Sequence, residues 1–365
     1  MKMKWRALIL CSVAGLVAGC AQLGYFVQAA QGQLSLLSEA RPIDDWLASP
    51  DVEDKLKGKL TRVKQIRQFA ARELALPDND TFTTYADVKR PFVMWNIVAT
   101  PELSLKPLQW CFPVAGCVNY RGYYSKDDAQ AYAAELRAEK YDVEVSGVPA
   151  YSTLGWFKDP VLSTFIQYPD GELARLVFHE LAHQVVYVPG DSRFNESFAV
   201  AVEEAGVERW MTVYGDEKTR KAYAAYESRK RDFLALLMKH RKMLQENYER
   251  DVNDDEKRKE KASIFQSLKD EYQVLKASWG GYAGYDRWFV EPLSNAHLSA
   301  IATYHDFVPG FKAILAKEKS MANFYDAVRR LATLEKDERH RQLAHFGKST
   351  PMTAENLHAA GMPPR

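Results

Sequence analysis

Residues 179–183 read His179-Glu180-Leu181-Ala182-His183, two imidazoles four positions apart with a carboxylate beside the first. On an α-helix, residues four apart lie one turn above each other on one face, so both rings can turn a nitrogen toward a single cation. Glu180 then points to the flank, where it can take a proton from a water held at that cation. Two imidazoles with a carboxylate base suit zinc, and a catalytic zinc takes three protein ligands and keeps one position open. A third ligand must come from another element.

Asn195-Glu196 can supply it. Pro189-Gly190-Asp191-Ser192 breaks the chain between a helix from Gly171 to about Val188 and a second from Phe194 to about Tyr214, with Asp191 or Ser192 available as a cap. Taking the turn midpoint between Gly190 and Asp191, His183 lies about 7.5 residues before it and Glu196 about 5.5 after, so at ~1.5 Å per residue the two stand within roughly 3 Å of the same height. The same arithmetic sets Glu203 level with His179, where a carboxylate would receive the second ring N–H and fix the tautomer. Glu204, about 100° further round the helix, is the alternative. Leu176, Val177, Phe178, Leu181, Ala182, Val185 and Val186 surround the motif, so its helix is mostly buried. Burying two histidines and a glutamate without a partner is costly, which favours a metal over a solvated surface motif.

The elements that must position these residues follow from periodicity and breakers. Leu34, Leu36 and Leu37 begin a helix, and apolar positions Leu56, Leu60, Val63, Ile66, Phe69 and Leu74 mark helices between Arg41 and Leu76. Thr81 to Tyr124 is rich in aromatic and β-branched residues and interrupted by Pro91, Pro101, Pro107 and Pro113, the pattern of strands and turns. A short helix over Lys126–Lys140 precedes two strands, Tyr141–Val145 and Tyr151–Phe157. The second strand could pair with an extended peptide or simply support the metal helix. Glu217–Ala277 is charge-rich with little Gly or Pro and reads as a helical hairpin bent around Asp251–Asp255, a solvated arm unless it binds a partner as a coiled coil. A glycine-rich loop, Gly280 to Tyr285, leads into helices over Leu298–Ala302 and Phe311–Leu334. A disordered tail is expected over 346–365.

With 365 residues and 47% hydrophobic content the chain can bury a full core. Its 49 basic and 48 acidic residues leave a net charge of +1, and no global field points to nucleic acid. At the N-terminus Lys2, Lys4 and Arg6 precede an apolar run from Ala7 to Ala18, too short to span a bilayer, where roughly 20 residues are needed. Residues 1–19 read as a signal peptide. Leu16-Val17-Ala18-Gly19-Cys20 resembles the bacterial lipobox, which implies cleavage before Cys20, a diacylglyceryl group on its thiol and a lipid anchor. By the same resemblance to bacterial lipoproteins, Ala21 after the cysteine implies the outer membrane, facing the periplasm. Cys111 and Cys117 are then the only cysteines left after the anchor, and an oxidising compartment favours a disulfide between them over free thiols.

The stretch Phe194-Asn195-Glu196-Ser197-Phe198-Ala199-Val200-Ala201-Val202-Glu203 resembles the glutamate helix of gluzincin aminopeptidases, in which a Glu ligand follows Asn and a second Glu stands seven residues on. From about Cys20 to about Leu343, the chain resembles a family of bacterial zinc-aminopeptidase lipoproteins. The resemblance implies zinc as cofactor, His179, His183 and Glu196 as ligands, Glu180 as catalytic carboxylate, and a peptide or protein substrate. The interval from His183 to Glu196 is shorter than in thermolysin or the large aminopeptidases. The Gly-x-Met-x-Asn segment with which the large enzymes bind a peptide amine does not occur upstream. A zinc endopeptidase of envelope proteins with the same site is thus one alternative, and a non-catalytic lipoprotein with structural zinc is another. Hydrolysis also needs a donor for the developing oxyanion. Tyr285, whose glycine neighbours could let it approach the metal, is the first candidate, ahead of Tyr282, Tyr304 and His305.

These readings combine into an α+β, predominantly helical chain, with a small mixed sheet packed on a gluzincin-like two-helix metal site and a long helical hairpin. The expected organisation is a signal peptide (1–19), a lipidated N-terminus and helical segment (20–80), a metallopeptidase domain (81–345) containing the hairpin, and the tail.

Overall fold

The computed structural model describes residues 24–112 and 115–349. The expected signal peptide, Cys20 and the chain beyond 349 lie outside the described residues. The protein is predominantly helical with small sheets, as its periodicity predicts. A helix runs through 24–39 (α1), followed by β1 (Arg41–Pro42), α2 (Ile43–Ala48) and α3 (Asp54–Leu74). α3 buries Leu60, Val63, Ile66, Phe69, Ala70 and Leu74 along one face, because steps of three and four return to the same side of a helix.

The strand-rich segment forms three small sheets rather than one. β2 (Thr84–Ala86) lies between β1, antiparallel, and β8 (Val161–Leu162), parallel. β3 (Met94–Pro101) is central to an antiparallel sheet with β6 (Arg121–Tyr123) and β7 (Tyr141–Val148). Trp95, Ile97 and Ala99 alternate onto the face covered by Ala129, Ala133 and Leu136 of α4 (Lys126–Ala138), a helix capped by Ser125. β4 (Trp110–Phe112) and β5 (Gly116–Val118) form a ribbon closed by the Cys111–Cys117 disulfide.

No strand forms over Tyr151–Phe157. Asp159 accepts hydrogen bonds from the backbone N–H of Thr153 (2.8 Å) and from its hydroxyl (2.8 Å), and this folds the segment into turns. Leu154 and Gly155 there take positive φ values of 57° and 81°. Strand composition lost to local side-chain-to-backbone bonding, so this segment offers no strand for peptide pairing.

The centre of the molecule is α5 (Asp170–Ala182) against α6 (Ser192–Tyr214). Gly206 lets them approach: a Cβ there would stand 2.7 Å from the ring of Phe178 and 2.8 Å from Leu74. α6 is buried almost throughout from Phe194 to Glu203, being enclosed by α5, α9 (Asn295–His305) and α10 (Val308–Glu318). The long hairpin is α7 (Glu217–Glu249) and α8 (Asp254–Ser278), capped by Asp216 and Asn253 and zipped by Phe233, Leu237, Leu244, Ile264, Leu268 and Tyr272. A 3-10 turn (Asp286–Phe289) leads to α9. The helix expected over Phe311–Leu334 is two, α10 and α11 (Met321–Ala332). Lys319 turns left-handed between them, and the Ser320 side chain caps α11 by accepting from Asn323 N–H. α12 (Lys336–Ser349) continues past residue 346, where the tail was expected to begin.

Candidate metal centre and active site

α5 delivers His179 from its last turn and His183 from its C-cap; it ends at Ala182, earlier than the expected Val188. His179 Nε2 and His183 Nε2 face each other at 3.2 Å. Oε2 of Glu196, in the second turn of α6, lies 3.3 Å from the first and 3.6 Å from the second. Zinc bonds of about 2.0–2.1 Å in a tetrahedron set neighbouring donors roughly 3.3–3.4 Å apart, so the triangle has the size of one tetrahedral face. Two imidazoles and a carboxylate oxygen at these separations fit a first-row divalent ion. Glu180 is buried beside them, and among the described residues its carboxylate has no hydrogen-bond or ion-pair partner.

The turn between the helices is fixed by side chains. Asn195 closes a ring with Val188, accepting from its N–H (2.8 Å) and donating to its C=O (2.9 Å). The residue before Glu196 thereby sets the depth at which α6 starts. Asp191 caps α6 by accepting from Phe194 N–H, and its carboxylate also takes Arg339 Nε (3.0 Å) and Nη2 (2.7 Å) and His340 Nε2 (2.9 Å) from α12. The ribbon turn rests on the same place, with Gly190 N–H donating to Ala115 C=O at 3.1 Å. A Cβ on Gly116, whose φ is +72°, would meet Gly190 N at 2.5 Å, so this seat admits only glycine.

Glu203 stands behind His179, its Oε2 2.8 Å from Nδ1. Glu204 turns away and pairs with Lys312. Arg175 Nη1 binds both Glu203 oxygens, at 3.0 and 3.1 Å. His183 Nδ1, by contrast, is buried without a hydrogen-bond partner among the described residues. Electrostatically the pocket asks for positive charge. Burial pushes the His179 ring toward neutrality, but Glu196 and Glu203 outweigh it and raise its pKa to about 10. Burial pushes Glu196 up, and the two imidazoles bring it down to about 2. Burial likewise opposes Glu203, which Arg175 and His179 hold well below the carboxylate range. Glu180 is raised, by burial first and then by Glu196 and Asp159 against the pull of the two imidazoles.

Three tyrosines surround the centre. The Tyr304 ring lies over His179 with centroids 6.3 Å apart, and Tyr187 meets His183 edge-on at 6.4 Å. Tyr304 is raised well above the ordinary phenol range, by Glu196 first and then by burial; Tyr120 is raised by burial first and then by Glu196. Both hydroxyls therefore keep their protons and can donate. Tyr285 stands elsewhere. It stacks on Phe233 of the hairpin at 4.1 Å and packs against Trp279, because the glycine loop closes over the hairpin's apolar base and not over the histidines. The sequence reading passed over Arg175, Tyr120, Tyr187 and the arm residue Lys230, 3.8 Å from Glu203. Arg175 sits four residues before His179, so helical spacing could have found it. Tyr120 and Lys230 come from distant elements and carry no local signal.

A helix with two histidines and a glutamate, paired with a helix offering a second glutamate, makes a buried group that could hold a metal ion. Residues 24–343 match the family described as "Putative aminopeptidase", and the chain belongs to that family, a description consistent with peptide hydrolysis. No curated protein and no solved structure matches the chain.

Proposed function

We propose that this chain is a zinc-dependent peptidase, acting as an aminopeptidase on peptides at the bacterial cell envelope. The observation that carries the reading is the triangle of His179 Nε2, His183 Nε2 and Glu196 Oε2 with the unpaired Glu180 carboxylate beside it. Zinc bound there would lower the pKa of a coordinated water and polarise the scissile carbonyl. Glu180 takes the proton of the attacking water and returns it to the leaving amine, a cycle that a buried carboxylate with a raised pKa favours. Tyr304 and Tyr120, kept protonated beside Glu196, supply donors for the oxyanion. With an ion bound, Glu203 would keep the remaining His179 proton on Nδ1 and so leave Nε2 free to serve as a ligand. Trimming from the amino end rests on the family description, and the missing amine-binding segment keeps endopeptidase action as the second reading. Attachment through lipid on Cys20 would hold the enzyme at the outer membrane, facing the periplasm.

The test is metal analysis with peptide hydrolysis for wild type and Glu180→Gln, on substrates with free and with blocked N-termini. One zinc per chain is expected in both proteins, with hydrolysis falling at least about 100-fold in the variant. Cleavage of blocked substrates would replace the aminopeptidase with an endopeptidase. Bound zinc with no hydrolysis by wild type across a broad peptide set would overturn the enzyme in favour of a structural metal.

A further inference from the structure

The α7–α8 hairpin looks at first like a solvated arm, but the first half of α7 lies against the back of the metal centre. Glu203 is 1% exposed and uses its oxygens differently. Oε2 meets His179 Nδ1 at 2.8 Å and Arg175 Nη1 at 3.1 Å, while Oε1 faces two cations, Arg175 of α5 at 3.0 Å and Lys230 of α7 at 3.8 Å. A second bridge runs in parallel. Arg175 Nε donates to Glu172 Oε2 at 3.0 Å, and the Tyr226 hydroxyl of α7 donates to that same oxygen at 3.2 Å. Tyr223 of α7 packs against the start of α5 at Gly171, and Lys230 is bracketed by Glu227 at 3.8 Å. The shell behind His179 therefore has two walls, one made by the metal helix itself and one made by the arm.

We propose that the arm is a working part of the metal centre: Lys230, assisted by Tyr226, positions Glu203 against His179, so that docking of α7 sets how firmly the protein holds its metal. This rests on the zinc site proposed above. Arg175 braces both Glu203 oxygens from the α5 side, and a carboxylate braced from one side only can tilt and carry the His179 ring with it. Lys230 comes to Oε1 from the α7 side, at 3.8 Å, and supplies the second positive charge there. Lys230 touches no ligand and acts through Glu203, which makes it a positioning residue. By linkage, metal binding also tightens arm docking, because whatever arm position strengthens metal binding is strengthened by the metal to the same degree.

The test is zinc affinity by chelator competition on the full chain, together with the visible spectrum of the cobalt-substituted protein, for wild type, Lys230→Met, Lys230→Arg, Tyr226→Phe and Lys239→Met. Lys230→Met is expected to bind zinc about tenfold more weakly, the low end for outer partners of metal ligands, and to shift the cobalt bands. Lys230→Arg restores both. Tyr226→Phe, which removes one hydroxyl and leaves the packing in place, weakens zinc in the same direction by less. Lys239→Met breaks an exposed pair with Glu271 elsewhere on the arm and leaves zinc affinity unchanged. Wild-type affinity in Lys230→Met would overturn the proposal, as would equal weakening in Lys239→Met, which would mean that general arm stability is being read. A wild type that binds no zinc would remove the proposed function as well, whereas tight zinc binding unaffected by Lys230→Met would remove this inference alone.

Discussion

The candidate metal centre and the outer arm use the same residue types to opposite effect. Around α5 and α6 the charges are buried and interlocked: Arg339 and Asp191 are 4% and 2% exposed where they pair, and Glu203 is held by Arg175 and His179. Along α7 and α8 the pairs Lys221–Glu217, Lys242–Glu246 and Lys239–Glu271 stand in solvent. Water screens the second set and leaves each pair worth a fraction of a kcal/mol, whereas removing one partner of the first set strands a charge that nothing solvates. A charge count along the sequence is therefore a poor guide to what a charge does here.

The comparison is most exposed to failure at Asp191. Asp191→Ala removes the α6 cap and leaves Arg339 buried without its carboxylate, and should cost about 3–5 kcal/mol of unfolding free energy in urea titration. A loss under about 1 kcal/mol would break the contrast with the arm. Helix α9, which touches both regions, sharpens it through pH. Burial holds His297 and His305 at about 4, well below the ordinary histidine range, aided by Arg137 for the first and Lys230 for the second. A histidine with a depressed folded pKa contributes stability that is present above its unfolded value of about 6.5 and lost as pH falls toward 4, at most about 3 kcal/mol per group. Glu144 works in the opposite sense, since burial first and then Glu291 raise it to about 7. The measurement is therefore a difference: between pH 7.5 and 4.5, His305→Gln should lose less stability than wild type. A parallel loss in both would remove His305 from the account.

Reduction of Cys111–Cys117 comes next in size. The cysteines are six residues apart, and a loop that short contributes about 2 kcal/mol by chain entropy. Cys111→Ser with Cys117→Ser should show that loss on melting and should depress peptide turnover more than zinc affinity, because the ribbon leads directly into Tyr120 and holds none of the proposed ligands. Smallest is Lys242→Ala on the arm, expected within about 0.5 kcal/mol of wild type in the same titration. A larger change would show the outer arm to be more than a screened surface.

The parts of this architecture that are periodic were legible. The two helices of the centre, the break at Pro189–Ser192 and the turn of the hairpin near Asp251–Asp255 all follow from spacing and breakers. Level pairing of His183 with Glu196 and of His179 with Glu203 survives because an antiparallel helix pair converts sequence distance from the turn into height. Where chemistry is set by tertiary contact, sequence arithmetic ran out. Tyr285 had flexible neighbours, but flexibility says nothing of direction, and the apolar base of the hairpin captured the ring. Tyr120 reaches the centre because a disulfide-closed ribbon rests on the Gly190 turn, a relation between residues more than seventy positions apart along the chain. Tyr151–Phe157 had strand composition, and a single carboxylate, Asp159, bent it into turns.

The clamp on Asp191 has a consequence in time as well as in space. Synthesis delivers both histidines, Glu196 and Glu203 long before it delivers Arg339 and His340, yet the cap that fixes the first turn of α6 needs those late residues to neutralise it. A nascent chain stopped before α12 owns His179, His183 and Glu196 and lacks the brace at the start of the helix that carries Glu196. The order of emergence thus leaves the first turn of α6 without its brace until α12 has been made.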